Sequence, residues 1–298
     1  MRSFLLLLAL TPGLVCAAEK QKGSAPSAAP TFEQLSCAKV RGIYGGKTIQ
    51  LKDGVYEGEP FVAGGASRPR VMLLGRLTAT ANLDNQPGDE RVALLAESSG
   101  GSGENIFLAV FGEQDGNVVN LGTALVGDRV RLRRLDIDGR TMLLDVVEAG
   151  PGEPMCCPTQ LARTSYRLEP ERLQLVAADV TGVLSLAAIA DVEWTLEEMN
   201  GRPLAPGSRA PTFKVAGGIA GGFGGCNRYT GAVQESTPGN ISLGNLAATR
   251  MACADPQMML EDGFLRDLKR VTSYTFLEGR LALRWEDGGQ SGLLMFRR

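Results

Sequence analysis

Short segments rich in apolar residues, separated by turn sequences, run through most of this chain. Aspartate-glycine turns occur at Asp53-Gly54, Asp115-Gly116 and Asp138-Gly139. The last of these joins residues 130–137 to residues 142–147, which is the pattern of a tight β-hairpin. Repeated short strands with little helix are typical of antiparallel sandwiches or barrels. The predicted fold class is therefore mainly β.

The chain of 298 residues is long enough for two domains. Residues 18–31 are polar and rich in alanine, serine and proline, so we expect a flexible linker there. Structure is expected to start near Thr31 with a short helix over residues 33–40. We predict two antiparallel β domains, an N-terminal one at 32–180 and a C-terminal one at 191–298.

The N-terminus has the pattern of a secretory signal peptide. Arg2 precedes an apolar run over residues 4–10, and small residues follow at Cys16, Ala17 and Ala18. The run is too short to span a bilayer, which needs about 20 apolar residues. We predict a signal peptide at residues 1–17 and a protein in the periplasm or cell envelope. A lipid anchor at Cys16 is the alternative.

The sequence contains 0 histidines, which excludes the commonest hydrolase designs and every histidine-ligated zinc site. An enzyme of this composition would have to use groups such as Lys47, Lys214 or Tyr229, and no two of these form a recognisable motif. We therefore expect no enzymatic activity, no cofactor and no metal. With 31 basic and 33 acidic residues, the charge gives no indication of nucleic-acid binding.

Arginines alternate with apolar residues before the Asp138-Gly139 turn. Arg129, Arg131 and Arg133 would share one face of a strand, opposite Val130 and Leu132. We expect a solvated outer face, with binding of an anionic envelope component as the alternative.

Two further segments have more than one interpretation. The loop that carries Asp84, Asp89 and Glu90 offers oxygen ligands for calcium, but it has Asn82 and Gln86 where such a site would favour acid or glycine. The glycines of residues 217–225 indicate close backbone packing or a mobile loop.

One clear helix interrupts the strands of the C-terminal half. Asp255 can cap it and Pro256 suits its first position. An apolar stripe at helical spacing follows, formed by Leu260, Phe264, Leu268 and Val271.

Several separated motifs of this half occur in the order and spacing of a known family. The motif residues are Trp194, Asn200-Gly201, Gly225, Cys226, Asn227, Tyr229, Thr249, Met251, Cys253, Glu261 and Phe264. From about residue 193 to residue 298 the chain resembles the META (HslJ-like) domain family. The resemblance implies a compact β-barrel-like fold with one packed helix. It also implies an envelope protein linked to stress or antibiotic tolerance, with no established catalytic residues.

The N-terminal half resembles uncharacterised domains that accompany META modules in bacterial envelope proteins. The matching text includes Asp53-Gly54, Tyr56 and the run Cys156-Cys157-Pro158-Thr159.

Five cysteines remain when Cys16 is removed with the signal peptide. Paired cysteines are expected in an oxidising compartment. We predict a Cys226–Cys253 bridge between two of the META motifs. A second bridge would join Cys37 to Cys157, or alternatively to Cys156, which leaves one thiol over. A redox-active thiol and a metal site at the adjacent pair are the alternatives.

The sequence thus predicts an exported, non-catalytic protein that binds an unknown envelope protein or small ligand. A histidine-independent hydrolase and a small-ligand carrier or inhibitor are the competing functions.

Overall fold

The computed structural model describes residues 28–45, 47–170 and 172–298. The predicted signal peptide, Cys16 and most of the predicted linker lie outside these residues. The described part is mainly β, as predicted. None of its helices is long and apolar enough to span a membrane.

The N-terminal half is built from three layers around a central five-stranded antiparallel sheet, β3 to β7. One face of this sheet packs against a four-stranded sheet, β8 to β11. The other face is covered by a short helix and a hairpin, α1 and β1–β2. The elements are α1 Phe32–Leu35, β1 Lys39–Tyr44, β2 Lys47–Gln50, β3 Val55–Glu57, β4 Arg70–Ala81, β5 Glu90–Ser98, β6 Asn105–Gln114, β7 Asn117–Asp128, β8 Arg131–Asp138, β9 Thr141–Glu148, β10 Gln160–Glu169 and β11 Arg172–Val183.

The C-terminal half is a closed antiparallel barrel of eight strands, because its first strand pairs with both the second and the last. The barrel strands are β12 Trp194–Met199, β14 Thr212–Ala216, β15 Ile219–Phe223, β16 Arg228–Thr237, β17 Asn240–Leu243, β19 Val271–Leu277, β20 Arg280–Asp287 and β21 Gln290–Arg297. Two short strands flank the barrel, β13 Arg202–Pro203 and β18 Ala247–Ala248, and the helix α2 spans Asp255–Leu268.

The two ends of the barrel are covered by different parts of the chain. At the end that we call the helix end, Phe264 of α2 lies against Tyr229 and Phe296, with ring centroids 5.7 and 6.3 Å apart. At the junction end, the N-terminal half covers the opening. There the Gly279 N–H donates to the Leu132 carbonyl at 2.9 Å, and Val147 joins the barrel core. Side chains from both halves therefore contribute to the core of the barrel.

Several local predictions are confirmed and others are wrong. The Asp138-Gly139 hairpin joins β8 to β9 as expected. The first helix ends at Leu35, because the chain enters β1 at Lys39 and covers the central sheet. The cap of α2 is Ala254 rather than Asp255, and Leu260 is only partly buried. Val271 begins β19 instead of continuing the helical stripe.

The predicted solvated arginine face is also wrong in one position. Arg133 is partly buried at the junction end, where its guanidinium carbon lies 5.0 Å from the centroid of the Phe276 ring. Its Nε has no hydrogen-bond partner in the described part of the chain, and burial lowers the pKa of this side chain. Arg129 precedes β8 and pairs with Asp128 at 2.6 Å.

Candidate functional site

Several motif residues of the C-terminal half surround the buried side chain of Asn227. Its Oδ1 accepts hydrogen bonds from the Met251 N–H at 2.7 Å and from the Thr249 hydroxyl at 2.9 Å. Its Nδ2 donates to Glu261 at 2.8 Å and to the Met251 carbonyl at 3.3 Å. An amide side chain has two acceptor and two donor positions, and all four are used here. Asn227 therefore joins three separate segments of the chain.

Glu261 lies on the buried face of α2, with 4% of its surface exposed. One carboxylate oxygen accepts the Cys226 N–H at 2.9 Å and the Asn227 N–H at 2.5 Å, while the other accepts Asn227 Nδ2. Burial by itself would raise the pKa of Glu261, but these donors favour the charged form and the pKa is lowered. The carboxylate thus fixes the loop before β16 onto α2.

The predicted Cys226–Cys253 disulfide is confirmed. The two α-carbons are 6.0 Å apart, within the usual range for a bridge. The bond ties the loop before β16 to the segment that leads into α2, so it acts between the same parts as Asn227 and Glu261. We call Asn227, Glu261, Thr249 and this disulfide the latch.

The other motif residues also serve the barrel. The buried Tyr229 hydroxyl donates to the Thr212 carbonyl at 2.8 Å, and burial raises the pKa of the phenol. Trp194 Nε1 donates to the Ile189 carbonyl at 3.1 Å. Gly225 has φ +131°, and a Cβ there would lie 3.3 Å from the Gln257 carbonyl oxygen. The motifs therefore mark places where strands, loop and helix meet closely.

The glycine-rich segment predicted as either close packing or a mobile loop includes the strand β15. A Cβ at Gly222 would lie only 2.2 Å from the Thr212 carbonyl oxygen. Close backbone packing is therefore the correct interpretation.

A second polar group at the helix end is centred on Asn200, which has a left-handed backbone with φ 54°. Its Oδ1 accepts the Trp285 Nε1–H at 2.9 Å and the Leu293 N–H at 3.1 Å. Its Nδ2 donates to Asp267, a carboxylate of α2 that is 1% exposed. Asp267 was missed by sequence reasoning. Its only signal was its position three residues after Phe264, on the face of α2 that also carries Glu261.

Met251 differs from the other motif residues because the latch uses only its main chain. Its side chain is 58% exposed, and Met259 on α2 is 74% exposed. Both belong to the segment that closes the helix end, on either side of Cys253 in sequence. We call these two side chains the methionine face.

The groups available to an enzyme do not assemble into one site. Lys47 lies in the β1–β2 hairpin of the N-terminal half, whereas Lys214 lies on the exposed side of β14 in the barrel. The Tyr229 hydroxyl is occupied by its bond to Thr212.

The predicted bridge from Cys37 to the adjacent cysteine pair is wrong. Cys156 and Cys157 are bonded to each other, with α-carbons 3.8 Å apart. Each sulfur of this disulfide already forms its two bonds, to its own Cβ and to the other sulfur, so neither residue can also pair with Cys37.

The acidic loop considered for calcium is organised by its own main chain. Buried Glu90 accepts the Leu83 N–H at 2.6 Å, and Asp84 accepts the Gln86 N–H at 2.7 Å. Burial raises the pKa of Glu90. Across the described residues, no group of three or more Cys, Asp or Glu side chains is placed to hold a metal ion.

Comparison with known proteins finds a family match in the C-terminal third of the chain. The family model described as META domain matches residues 187–297, which confirms the predicted resemblance. No curated protein matches the chain. One structure solved by NMR shares 25% identity, with a TM-score of 0.32, over 38% of this chain and 94% of its own. Another, from Burkholderia xenovorans, shares 24% identity, with a TM-score of 0.31, over 42% of this chain and 94% of its own.

Proposed function

We propose that this META-domain protein is exported, has no enzymatic activity, and binds a protein partner through the methionine face. In this role it would support the cell envelope under stress or during exposure to antibiotics. One observation carries the proposal: the polar motif side chains are used inside the latch, whereas Met251 and Met259 are left exposed.

The internal bonding of the latch argues against catalysis at the family motifs. A catalytic group must be able to exchange its hydrogen bonds for contacts with a substrate. Asn227 has no free position, and Glu261 is held by three donors in the interior. Releasing either group would leave buried polar atoms unpaired, at a cost of about 1–3 kcal/mol for each. The motifs therefore suit a structural role.

The methionine face has the chemistry of a protein-binding surface. Methionine side chains are flexible, apolar and polarizable, so they adapt to partner surfaces of different shape. The two largely exposed methionines stand on either side of the disulfide-bonded Cys253 in sequence, so a partner that binds this segment can bury their apolar area.

The packing of the barrel disfavours the competing carrier function. A carrier needs an apolar interior volume for its ligand. Here the aromatic side chains of Trp194, Phe213, Phe264, Phe276 and Phe296 lie buried in the barrel. One depression, of about 160 Å³, is lined mainly by polar surface beside Glu90. Another, of about 390 Å³, lies near Asn200 at the surface of the barrel.

The binding proposal is tested by affinity capture from envelope extract with three forms of the mature chain. The wild type and the control Ile219→Glu, an exposed site at the junction end, should capture the same discrete partner. The double variant Met251→Glu/Met259→Glu should lose it. Equal capture by all three forms would refute the methionine face as the binding surface.

Export is tested separately by fusing residues 1–31 to a reporter that is active only outside the cytoplasm. We expect an active, cleaved fusion. A cytoplasmic, uncleaved product would refute export while leaving the binding test intact.

A further inference from the structure

The adjacent pair Cys156–Cys157 lies in an exposed loop of the N-terminal half. The loop connects β9, which ends at Glu148, to β10, which begins at Gln160. Both cysteines are exposed in the folded chain. A reagent can therefore reach this disulfide without unfolding the protein.

The loop keeps its shape through contacts that do not involve the disulfide. The Glu153 carboxylate accepts the N–H groups of Gly150 and Thr159, each at 3.0 Å, and also the Thr159 hydroxyl. These three contacts tie both ends of the loop to its middle. The flanking residues Glu148 and Gln160 are already paired in the β9–β10 ladder. Breaking the disulfide would therefore leave the loop in place.

A bridge between neighbouring residues also adds little to folding. A disulfide restricts the unfolded chain more strongly as the closed loop becomes longer. The Cys226–Cys253 bridge spans a separation of 27 residues and has one half buried, whereas Cys156 and Cys157 are separated by 1. The structural role thus belongs to Cys226–Cys253, which leaves reactivity as the distinguishing property of the adjacent pair.

We propose that Cys156–Cys157 is a thiol–disulfide exchange site whose substrates are thiols. This activity is independent of the proposed partner binding. A substrate thiolate attacks one sulfur of the pair, a mixed disulfide forms, and the other cysteine leaves as a thiolate and takes a proton. A second substrate thiol then attacks the mixed disulfide. The balance is one protein disulfide and two thiols converted to two protein thiols and one substrate disulfide, a transfer of two electrons and two protons.

The adjacent arrangement also defines the reverse reaction. When a substrate disulfide forms a mixed disulfide with one reduced cysteine, the neighbouring thiol is within reach to expel the second half of the substrate. The pair should therefore close again without keeping an adduct, whereas a single cysteine in its place would keep one.

The first test is mild reduction of the folded, full mature chain, followed by alkylation and peptide mapping. One arm uses glutathione and the other a reduced dithiol protein of the thioredoxin type, so that the two sources of thiol are distinguished. We expect labels at Cys156 and Cys157 to appear at least about tenfold faster than at Cys226 and Cys253 in one arm or both. Equal rates, or no labelling of the pair in either arm, would overturn the proposal.

The second test separates an exchange site from a merely exposed disulfide. Reduced wild type should bind phenylarsine oxide, which requires two neighbouring thiols, and should retain no glutathione at Cys156 or Cys157 after treatment with oxidised glutathione. The variants Cys156→Ser and Cys157→Ser should not bind the arsenical through this site and should keep one glutathione on the remaining cysteine. A wild type that keeps the adduct at Cys156 or Cys157 as the variants do would overturn the proposal, even if both variants fold poorly.

Discussion

Asn227 and Glu261 bind each other at two points, through the main-chain N–H and through the side-chain Nδ2 of Asn227, the latter at 2.8 Å. The contact joins the loop before β16 to the helix that closes the barrel. Its partners are buried, so the pair has little access to water with which to replace a lost bond. The stability of the helix end should therefore depend on this contact.

Replacing Asn227 by alanine should destabilise the barrel by about 3 kcal/mol, because it removes four hydrogen bonds and leaves the Met251 N–H and one oxygen of Glu261 without this partner. Urea unfolding of the mature chain measures the loss. Asn240→Ala, at an exposed position of β17, should change stability by less than about 0.5 kcal/mol. Similar losses in the two variants would show that the latch is not the source of stability.

Glu261 should make the stability of the barrel depend on pH. Its folded-state pKa lies below its unfolded value, so its contribution is fully present above the unfolded pKa of about 4.3. It should be lost as the pH falls through the lower, folded pKa. Glu261→Gln should cost about 2 kcal/mol at neutral pH and weaken the decline below about pH 5.

Urea unfolding at a series of pH values tests this dependence. The control is Asp262→Asn at the next, exposed position of α2, and it should keep the wild-type decline. A decline that is unchanged in Glu261→Gln would mean that other carboxylates cause it.

The Cys226–Cys253 bridge should contribute about 3 kcal/mol, because it closes a long loop in the unfolded chain. Cys226→Ala is expected to lose this amount in chemical unfolding. Cys157→Ala should lose far less, since the bond that it removes joins neighbouring residues. The mass of the wild type should first confirm that its cysteines are oxidised. If Cys226→Ala then loses almost no stability, these cysteines contribute through packing alone.

The contact between the two halves should be measurable at Gly279, in the turn of the barrel nearest β8. A Cβ there would lie 2.8 Å from Leu77 Cδ2 of the N-terminal half. Gly289 has a similar backbone, with φ +83° against +78° for Gly279, but a Cβ at Gly289 would have no atom within 4 Å. Valine at either position incurs the same backbone strain, so the difference between the two variants reports the junction.

We expect Gly279→Val to unfold at a lower urea concentration than Gly289→Val. The difference in the free energy of unfolding should be about 1–3 kcal/mol, as for other overpacked sites. Equal stabilities would mean that the halves do not pack as described.

The sequence predicted much of the local structure, because turns and alternation are local signals. The Asp53-Gly54 and Asp115-Gly116 turns have a left-handed backbone at both residues, as this chemistry favours. At the third turn only Gly139 is left-handed, because Asp138 is still paired with Thr141 as the last residue of β8. The Cys226–Cys253 bridge was found because both residues lie in recognisable motifs.

The rest depends on contacts between distant segments, which a local pattern does not contain. Alternation placed Arg133 on an outer face, but at this one position the barrel covers the side chain, and the Phe276 ring lies against it. Helical spacing of apolar residues did not reveal that Glu261 and Asp267 are buried, because their partners come from Asn227 and Asn200 far along the chain. Pairing of Cys156 with Cys157 was not predicted, because the positions of cysteines in a sequence do not determine which of them pair.

The most direct test of the account is photo-crosslinking from position 259 in living cells. A photoreactive residue replaces Met259, which is 74% exposed, and a matched variant carries it at Ile219, which is 49% exposed. We predict one discrete protein adduct from position 259, its loss when Met251→Glu is added, and no such adduct from position 219. The absence of an adduct at 259, or the same adduct from both positions, would contradict the proposal that the protein binds its partner through the methionine face.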